Sequence, residues 1–267
     1  MNYLYPTGKQ IEIIDLVYKF RFINRTQIQK ILNHKDPRRI NAWLKELVEY
    51  KYLGRIYSKK LLENTKPAIY YLSFASIKFI KERKDFELKD VKKFYEDKKA
   101  SQKFIDHCIN LVAFYLQIKE LERATTNTYL HLSKTEAQTY EQLRELKPDA
   151  YIEMTKRKSK TKMVKIRYFL DILDPHVPRY ALRYRIKQYI DFHDNESNWK
   201  QLTNDGKFPY ILLIFPDTKK LNHIKKYIKE QLEREFFVDD MVFSLTTTKE
   251  LLEQGFKSQI WETITGK

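Results

Sequence analysis

Near residue 50 the hydrophobic period of this chain switches from 3.6 to 2, directly after three helix starts in close succession. Thr7-Gly-Lys-Gln10 has the layout of a capping box, in which the Thr oxygen accepts an orphan N–H and the Gln reaches back to the cap. A first helix is expected to begin there, with Ile13, Val17 and Phe20 along one apolar stripe. Asn24-Arg-Thr-Gln27 repeats the signal for a short second helix over about 27–32. Asp36-Pro37 sets a capping carboxylate before a proline at the first helical position, and Ile40, Leu44, Leu47 and Val48 form the inner face of a third helix. Its outer face carries Arg38, Arg39, Asn41, Ala42 and Lys45. After the switch, Gly54–Ser58 and Ala68–Leu72 read as the strands of a hairpin with Lys59–Lys66 between them.

Charge is concentrated in the same region. Of 51 Lys+Arg and 35 Asp+Glu in 267 residues, positions 1–100 hold 23 and 12, a net of +11, which leaves +5 for the remainder. Such a field favours a polyanionic partner through counterion release. A hydrophobic content of 42% excludes a disordered chain. Five glycines and no GxxxxGK[ST] or GxGxxG leave little room for a phosphate cradle. Cys108 is the single cysteine, so neither an internal disulfide nor a Cys/His zinc cluster is expected. The longest apolar run, Tyr210–Phe215, is far below a membrane span, and Met1–Glu12 lacks a signal-peptide layout, so the expected location is the cytoplasm with no membrane partner.

Three short helices and a hairpin resemble a winged helix-turn-helix. In that arrangement the third helix enters the major groove, where Arg38, Arg39, Asn41 and Lys45 meet base edges and phosphates, while Lys59, Lys60 and Lys66 hold the backbone from the wing. The bland alternative is a winged helix used for protein contacts, with these cations as solvated charge. The expected organisation is a DNA-binding domain over 1–83, a charged linker over 84–100 and an α/β domain over 101–267.

The second domain reads as a helix from Gln102 to about Leu121, strands Thr128–Leu132, Asp149–Met154 and Met163–Leu173, a helix from Tyr180 to Phe192, and a strand Tyr210–Phe215. A helix around Leu221–Phe236, a late strand Met241–Thr246 and a C-terminal tail complete the expected αβββαβ core. The polar run Thr155–Lys162 implies a hairpin whose partners sum to about 320, which sets Asp149 opposite Asp171. Carboxylates so placed repel unless a proton or a divalent cation joins them, so Asp149 and Asp171 are candidate metal ligands. Lys156, Arg157 and Lys158 at the hairpin tip are candidate phosphate contacts, within a tract from Lys156 to Lys187 that has 11 Lys+Arg and two acids.

Lys147-Pro-Asp-Ala150, Tyr168-Phe-Leu-Asp171, a helix bearing Lys187 and Tyr189, and an earlier helix with His107-Cys-Ile-Asn110 together resemble the plasmid replication-relaxation family over nearly the whole chain. The αβββαβ core with Pro148-Asp149 and a later strand carboxylate is also similar to the PD-(D/E)xK restriction-endonuclease-like superfamily. These resemblances imply a plasmid or mobile-element protein acting on double-stranded DNA at a replication or transfer origin, with Mg²⁺ or Mn²⁺ as cofactor and a nicking, relaxase-like reaction. They make Asp149, Asp171, Lys187 and His107 candidate catalytic residues. The chain departs from the nuclease pattern at Leu173, which stands where a lysine is expected; Lys187, Arg183 or Lys165 could supply the missing cation. Tyr184 and Tyr189 are candidate nucleophiles for a transesterification, although packing roles are the default for both, as a core position is for His107. The rival reading is a non-catalytic DNA-binding initiator or regulator whose second domain serves homodimerisation or partner recruitment.

Overall fold

The computed structural model describes residues 5–57, 66–83, 88–159, 162–203, 205–234, 240–256 and 258–266, with side chains at 88–91, 198 and 258 outside that description. Two compact units divide at Leu116/Gln117.

In the first unit, side-chain caps start the helices where the sequence signals them. The Thr7 N–H donates to Gln10 Oε1 at 2.9 Å at the head of α1 (Gly8–Phe20). After a two-residue strand, β1 (Ile23–Asn24), the Gln27 N–H donates to Asn24 Oδ1 at 2.9 Å and opens α2 (Arg25–Ile31). Asp36 accepts the Arg38 N–H at 2.8 Å, and Pro37 begins α3 (Pro37–Glu49). Strands β2 (Leu53–Ile56) and β3 (Ile69–Leu72) then pair antiparallel, and β3 also pairs with β1, so the sheet order is β1-β3-β2. Gly54 faces Tyr71 across the hairpin, and a Cβ at Gly54 would fall 2.1 Å from the Tyr71 ring, so only glycine lets that ring lie across the strand. Ile13, Val17, Ile28, Ile40 and Leu44 form the core, each worth about 1.5–3 kcal/mol of apolar burial.

The described part of the segment expected as a linker, 88–100, belongs to this unit. Following α4 (Phe74–Lys81), it contains α5 (Leu88–Glu96) and a single 3₁₀ turn, Asp97–Lys99. Phe94 is buried in the first core, and buried Asp97 is ion-paired with Arg21, so the division of the chain falls beyond it, inside α6 (Gln102–Ala124). Few apolar residues suffice to tie a charged segment down when one aromatic and one buried ion pair are correctly placed. Lys59 and Lys60, the expected wing contacts, lie outside the described residues; Lys66 is exposed.

The second unit is a mixed six-stranded sheet, ordered β4-β5-β6-β7-β8-β9. Its elements in chain order are β4 (Thr128–Ser133), α7 (Lys134–Ala137), α8 (Glu141–Arg144), β5 (Ala150–Arg157), β6 (Met163–Ile172), α9 (Arg179–Asp194), α10 (Glu196–Lys200), β7 (Tyr210–Phe215), α11 (Thr218–Arg234), β8 (Val242–Thr247), α12 (Thr248–Gln254) and β9 (Glu262–Thr265). Strands β4 and β5 pair antiparallel, as do β5 and β6, whereas β6, β7 and β8 are parallel and are joined through α9 and α11. The expected C-terminal tail contains α12 and β9, which adds antiparallel to β8. Tyr151, Phe169, Ile211 and Phe243 pack on Leu182, Ile186 and Tyr189 of α9 and on Ile224 and Ile228 of α11. No helix among the described residues is long and apolar enough to cross a membrane.

Candidate functional site

Helix α3 separates its residues cleanly by face. Ile40, Leu44 and Leu47 are buried, while Arg38, Arg39, Asn41, Ala42 and Lys45 are all exposed. The Arg39 guanidinium lies 5.8 Å from the Trp43 ring centroid, which stiffens the long side chain on the outer surface. Asp36, which fixes the first turn, leaves the N-terminal half of the helix as its most cationic part. These side chains have the donor and acceptor sets that match guanine and adenine edges.

In the second unit the hairpin register sums to 320 at every pair from Ala150↔Leu170 to Arg157↔Met163. Asp149 and Asp171 are therefore neighbours at the carboxyl ends of the parallel strands, the end at which open α/β sheets form crevices. Both are buried, at 5% and 4% exposure. Their backbones and carboxylates interlock: the Asp149 N–H donates to Asp171 Oδ1 at 3.1 Å, and the Ile172 N–H donates to Asp149 Oδ2 at 3.0 Å.

Two cations complete the cluster. Arg185 of α9 donates from Nε to Asp171 Oδ2 at 2.5 Å and from Nη2 to Oδ1 at 3.1 Å, while its Nη1 caps the Leu146 carbonyl at 2.7 Å. Tyr189, one turn later, donates its hydroxyl to Asp171 Oδ2 at 2.9 Å. Lys134 Nζ reaches Asp149 Oδ1 at 3.1 Å, and its own N–H donates to the Asp149 carbonyl at 2.9 Å. A capping box at Ser133 and Glu136 starts α7 there and so presents Lys134 to the cluster. The residues border a cleft of about 390 Å³, whose wall also includes Lys147, Leu173, Ala181 and Gln188.

The electrostatics follow from this packing. The Asp149 carboxylate, with Asp171 adding to it, raises the Lys134 pKa above its ordinary value despite partial burial. Burial acts to lower the Arg185 pKa, but the Asp171 carboxylate more than offsets it and the guanidinium stays charged. Burial, then Asp171, pushes the Tyr189 phenol well above its ordinary 10, which makes it a hydrogen-bond donor and a poor nucleophile.

A divalent ion does not fit this donor set as it stands. All four carboxylate oxygens accept hydrogen bonds from protein, and Arg185 and Lys134 neutralise the two negative charges. Among the described residues no three His, Cys, Asp or Glu side chains come together as a metal-holding group, and Leu173 adds an apolar wall. A hard cation seeking six or more oxygen ligands would have to displace both cations.

The remaining sequence-based candidates lie elsewhere. Lys187 is exposed on α9 and is absent from the cleft wall. The Arg183 guanidinium sits over the Tyr227 ring at 5.2 Å, and Lys165 pairs with Glu153 at 2.6 Å. His107 is half-buried on the first-unit part of α6, and the cleft wall does not include it. Lys156, Arg157 and Lys158 are exposed at the β5–β6 tip. Arg185 and Lys134 were missed. The apolar stripe Leu182, Ile186, Tyr189 puts 185, rather than 183 or 187, beside the buried face of α9; Ser133-Lys-Thr-Glu136 is a legible capping box immediately after a strand.

Among solved structures, the chain is similar to the restriction endonuclease FokI at 12% identity and a TM-score of 0.28, over 92% of this chain and 43% of that one. It therefore spans less than half the length of that protein. Comparison with curated proteins gives no match. A family profile described as replication-relaxation matches residues 14–210, a stretch that runs from α1 through α3 and the Asp149–Asp171 pair to the first residue of β7. By that match, over most of its length, the chain belongs to the replication-relaxation family.

Proposed function

We propose that this protein binds double-stranded DNA through its first unit, which acts as a winged helix with α3 as the recognition helix. The element order α1-β1-α2-α3-β2-β3 and the sheet order β1-β3-β2 support that reading. The observation that carries it is the outer face of α3, where Arg38, Arg39, Asn41 and Lys45 stand exposed on a helix held rigidly by Ile40, Leu44 and Leu47. Family membership directs the search toward a plasmid replication or transfer origin as the target. Lys156, Arg157 and Lys158, at the tip of the second unit's hairpin, would add phosphate contacts independent of sequence.

Cleavage is not assigned to the Asp149–Asp171 cleft. Nicking supported by Mg²⁺ or Mn²⁺ needs carboxylate oxygens open to the ion, and here Arg185, Lys134, Tyr189 and two backbone N–H groups hold them. The cluster instead joins β5, β6, α7 and α9 through charge-assisted hydrogen bonds, as befits a second unit kept for shape and partner contacts. The test is selection of bound sequences from a random duplex library with the full chain, followed by incubation of a supercoiled plasmid bearing the selected site with either metal. Tight binding without nicking is the expected result. Nicking that disappears in Asp171→Asn would restore the nuclease reading, and failure to enrich any sequence would remove α3 from the account.

A further inference from the structure

Helix α9 carries a second surface that the cleft does not use. From Arg179 to Gln188 the sequence reads RYALRYRIKQ, with four basic residues and no acid. Leu182 and Ile186 are buried against the sheet and Arg185 reaches into the cleft, which leaves Arg179, Tyr180, Arg183, Tyr184 and Lys187 exposed along the outer face. Tyr180 is 76% exposed and Tyr184 64%, among the largest values for aromatic side chains in the described structure. Spaced four residues apart, they stand one above the other, about 5–6 Å between Cβ atoms. Neither makes a hydrogen bond or ring contact with the described residues, so fold stability does not account for them.

Positive charge flanks the two rings. Arg179, Arg183 and Lys187 follow at helical spacing, and the Arg183 guanidinium is steadied over Tyr227 of α11. The field is felt by His223 on α11, whose pKa is lowered by burial and then by Arg179 and Arg183. Exposed aromatic faces alternating with cations meet the requirements of a strand whose bases are unpaired: the rings offer stacking platforms, and the cations track phosphates. A duplex keeps its base faces stacked inside and would leave both rings without that gain.

We propose that the outer face of α9 binds a single nucleic-acid strand, with Tyr180 and Tyr184 stacking on successive bases and Arg179, Arg183 and Lys187 holding the backbone. This surface lies on the second unit and is independent of duplex recognition by α3. It adjoins the cleft, since Ala181 and Arg185 follow the two tyrosines directly.

The experiment measures fluorescence anisotropy of labelled oligo(dT), oligo(rU) and a mixed-sequence duplex with the full chain, its Tyr180→Ala/Tyr184→Ala variant and its Tyr180→Phe/Tyr184→Phe variant. The alanine pair is expected to weaken binding of at least one single strand by tenfold or more, with duplex affinity within twofold of wild type. The phenylalanine pair keeps the stacking faces and should bind like wild type. Lys187→Ala should lower the slope of log K against log salt by about 0.7 on single strands. In a Tyr184→Trp variant the introduced indole should be quenched by the oligonucleotide beyond the change shown by the wild-type tryptophans. Unchanged single-strand affinity in the alanine pair overturns the proposal, as does an equal loss on the duplex, which would make the face a general phosphate-binding surface. Equal losses in the alanine and phenylalanine pairs would also overturn it, since stacking would then play no part.

Discussion

Arg185 holds both oxygens of Asp171, from Nε at 2.5 Å and from Nη2 at 3.1 Å, and so fixes α9 to the end of β6 beside Asp149. Removing the guanidinium would strand a buried carboxylate, so Arg185→Ala should cost about 3–5 kcal/mol in urea unfolding. Arg185→Lys should recover only part of this, because an ammonium cannot reproduce the paired hydrogen bonds or cap Leu146 at the same time. A loss below about 1 kcal/mol in the alanine variant would show that Asp171 is supported mainly by Tyr189 and the Asp149 N–H.

A second ion pair gives the first unit a pH dependence. Burial raises the Asp97 carboxyl from its ordinary 3.8 to about 6, with Arg21 opposing through its hydrogen bond and charge. The folded state thus holds this proton more tightly than the unfolded chain does. The contribution is fully present below about pH 4 and is lost as pH rises through about 6, a fall on the order of 2–3 kcal/mol. Asp97→Asn keeps a neutral hydrogen-bonding group and should flatten that part of the profile of urea midpoints between pH 4 and 7. Parallel profiles for wild type and variant would place the titration elsewhere.

The hairpin of the first unit depends on a missing side chain. Gly54→Ala would set a Cβ 2.1 Å from the Tyr71 ring, so the ring must swing out, at a cost of about 1–3 kcal/mol. Tyr71→Ala should relieve the clash, making the double variant less destabilised than the sum of the singles. Thermal melts of the four proteins measure that coupling, and strict additivity would mean that the ring and the strand do not meet.

Local chemistry made much of this architecture readable. The caps at Thr7, Asn24 and Asp36 fix three helix starts because each is completed by a residue within three positions. The polar tip at Thr155–Lys162 fixes the β5–β6 register, and with it the meeting of Asp149 and Asp171, because side chains in a hairpin alternate with period two. What filled the space between them was not readable. Arg185 is 14 residues from Asp171 and Lys134 is 15 from Asp149, so their convergence depends on how α9 and α7 pack. The charged stretch expected as a linker misled for the same reason: Arg21 and Asp97 stand 76 positions apart, and no local pattern announces their ion pair. β1 is two residues long, too short to show a period, and β9 buries only Ile264 among exposed Glu262, Thr263 and Thr265 in a segment read as a tail.

The central claim, that α3 reads bases in a DNA duplex, is tested most directly by comparing affinities for a selected site and for random duplex. Arg39→Ala and Asn41→Ala should each weaken the selected site by about 1–3 kcal/mol while changing random-duplex affinity far less, in contrast to Lys45→Ala, which should act on both alike if it contacts phosphate. Equal losses on both DNAs for Arg39→Ala and Asn41→Ala, or no loss on either, would contradict base reading by this helix.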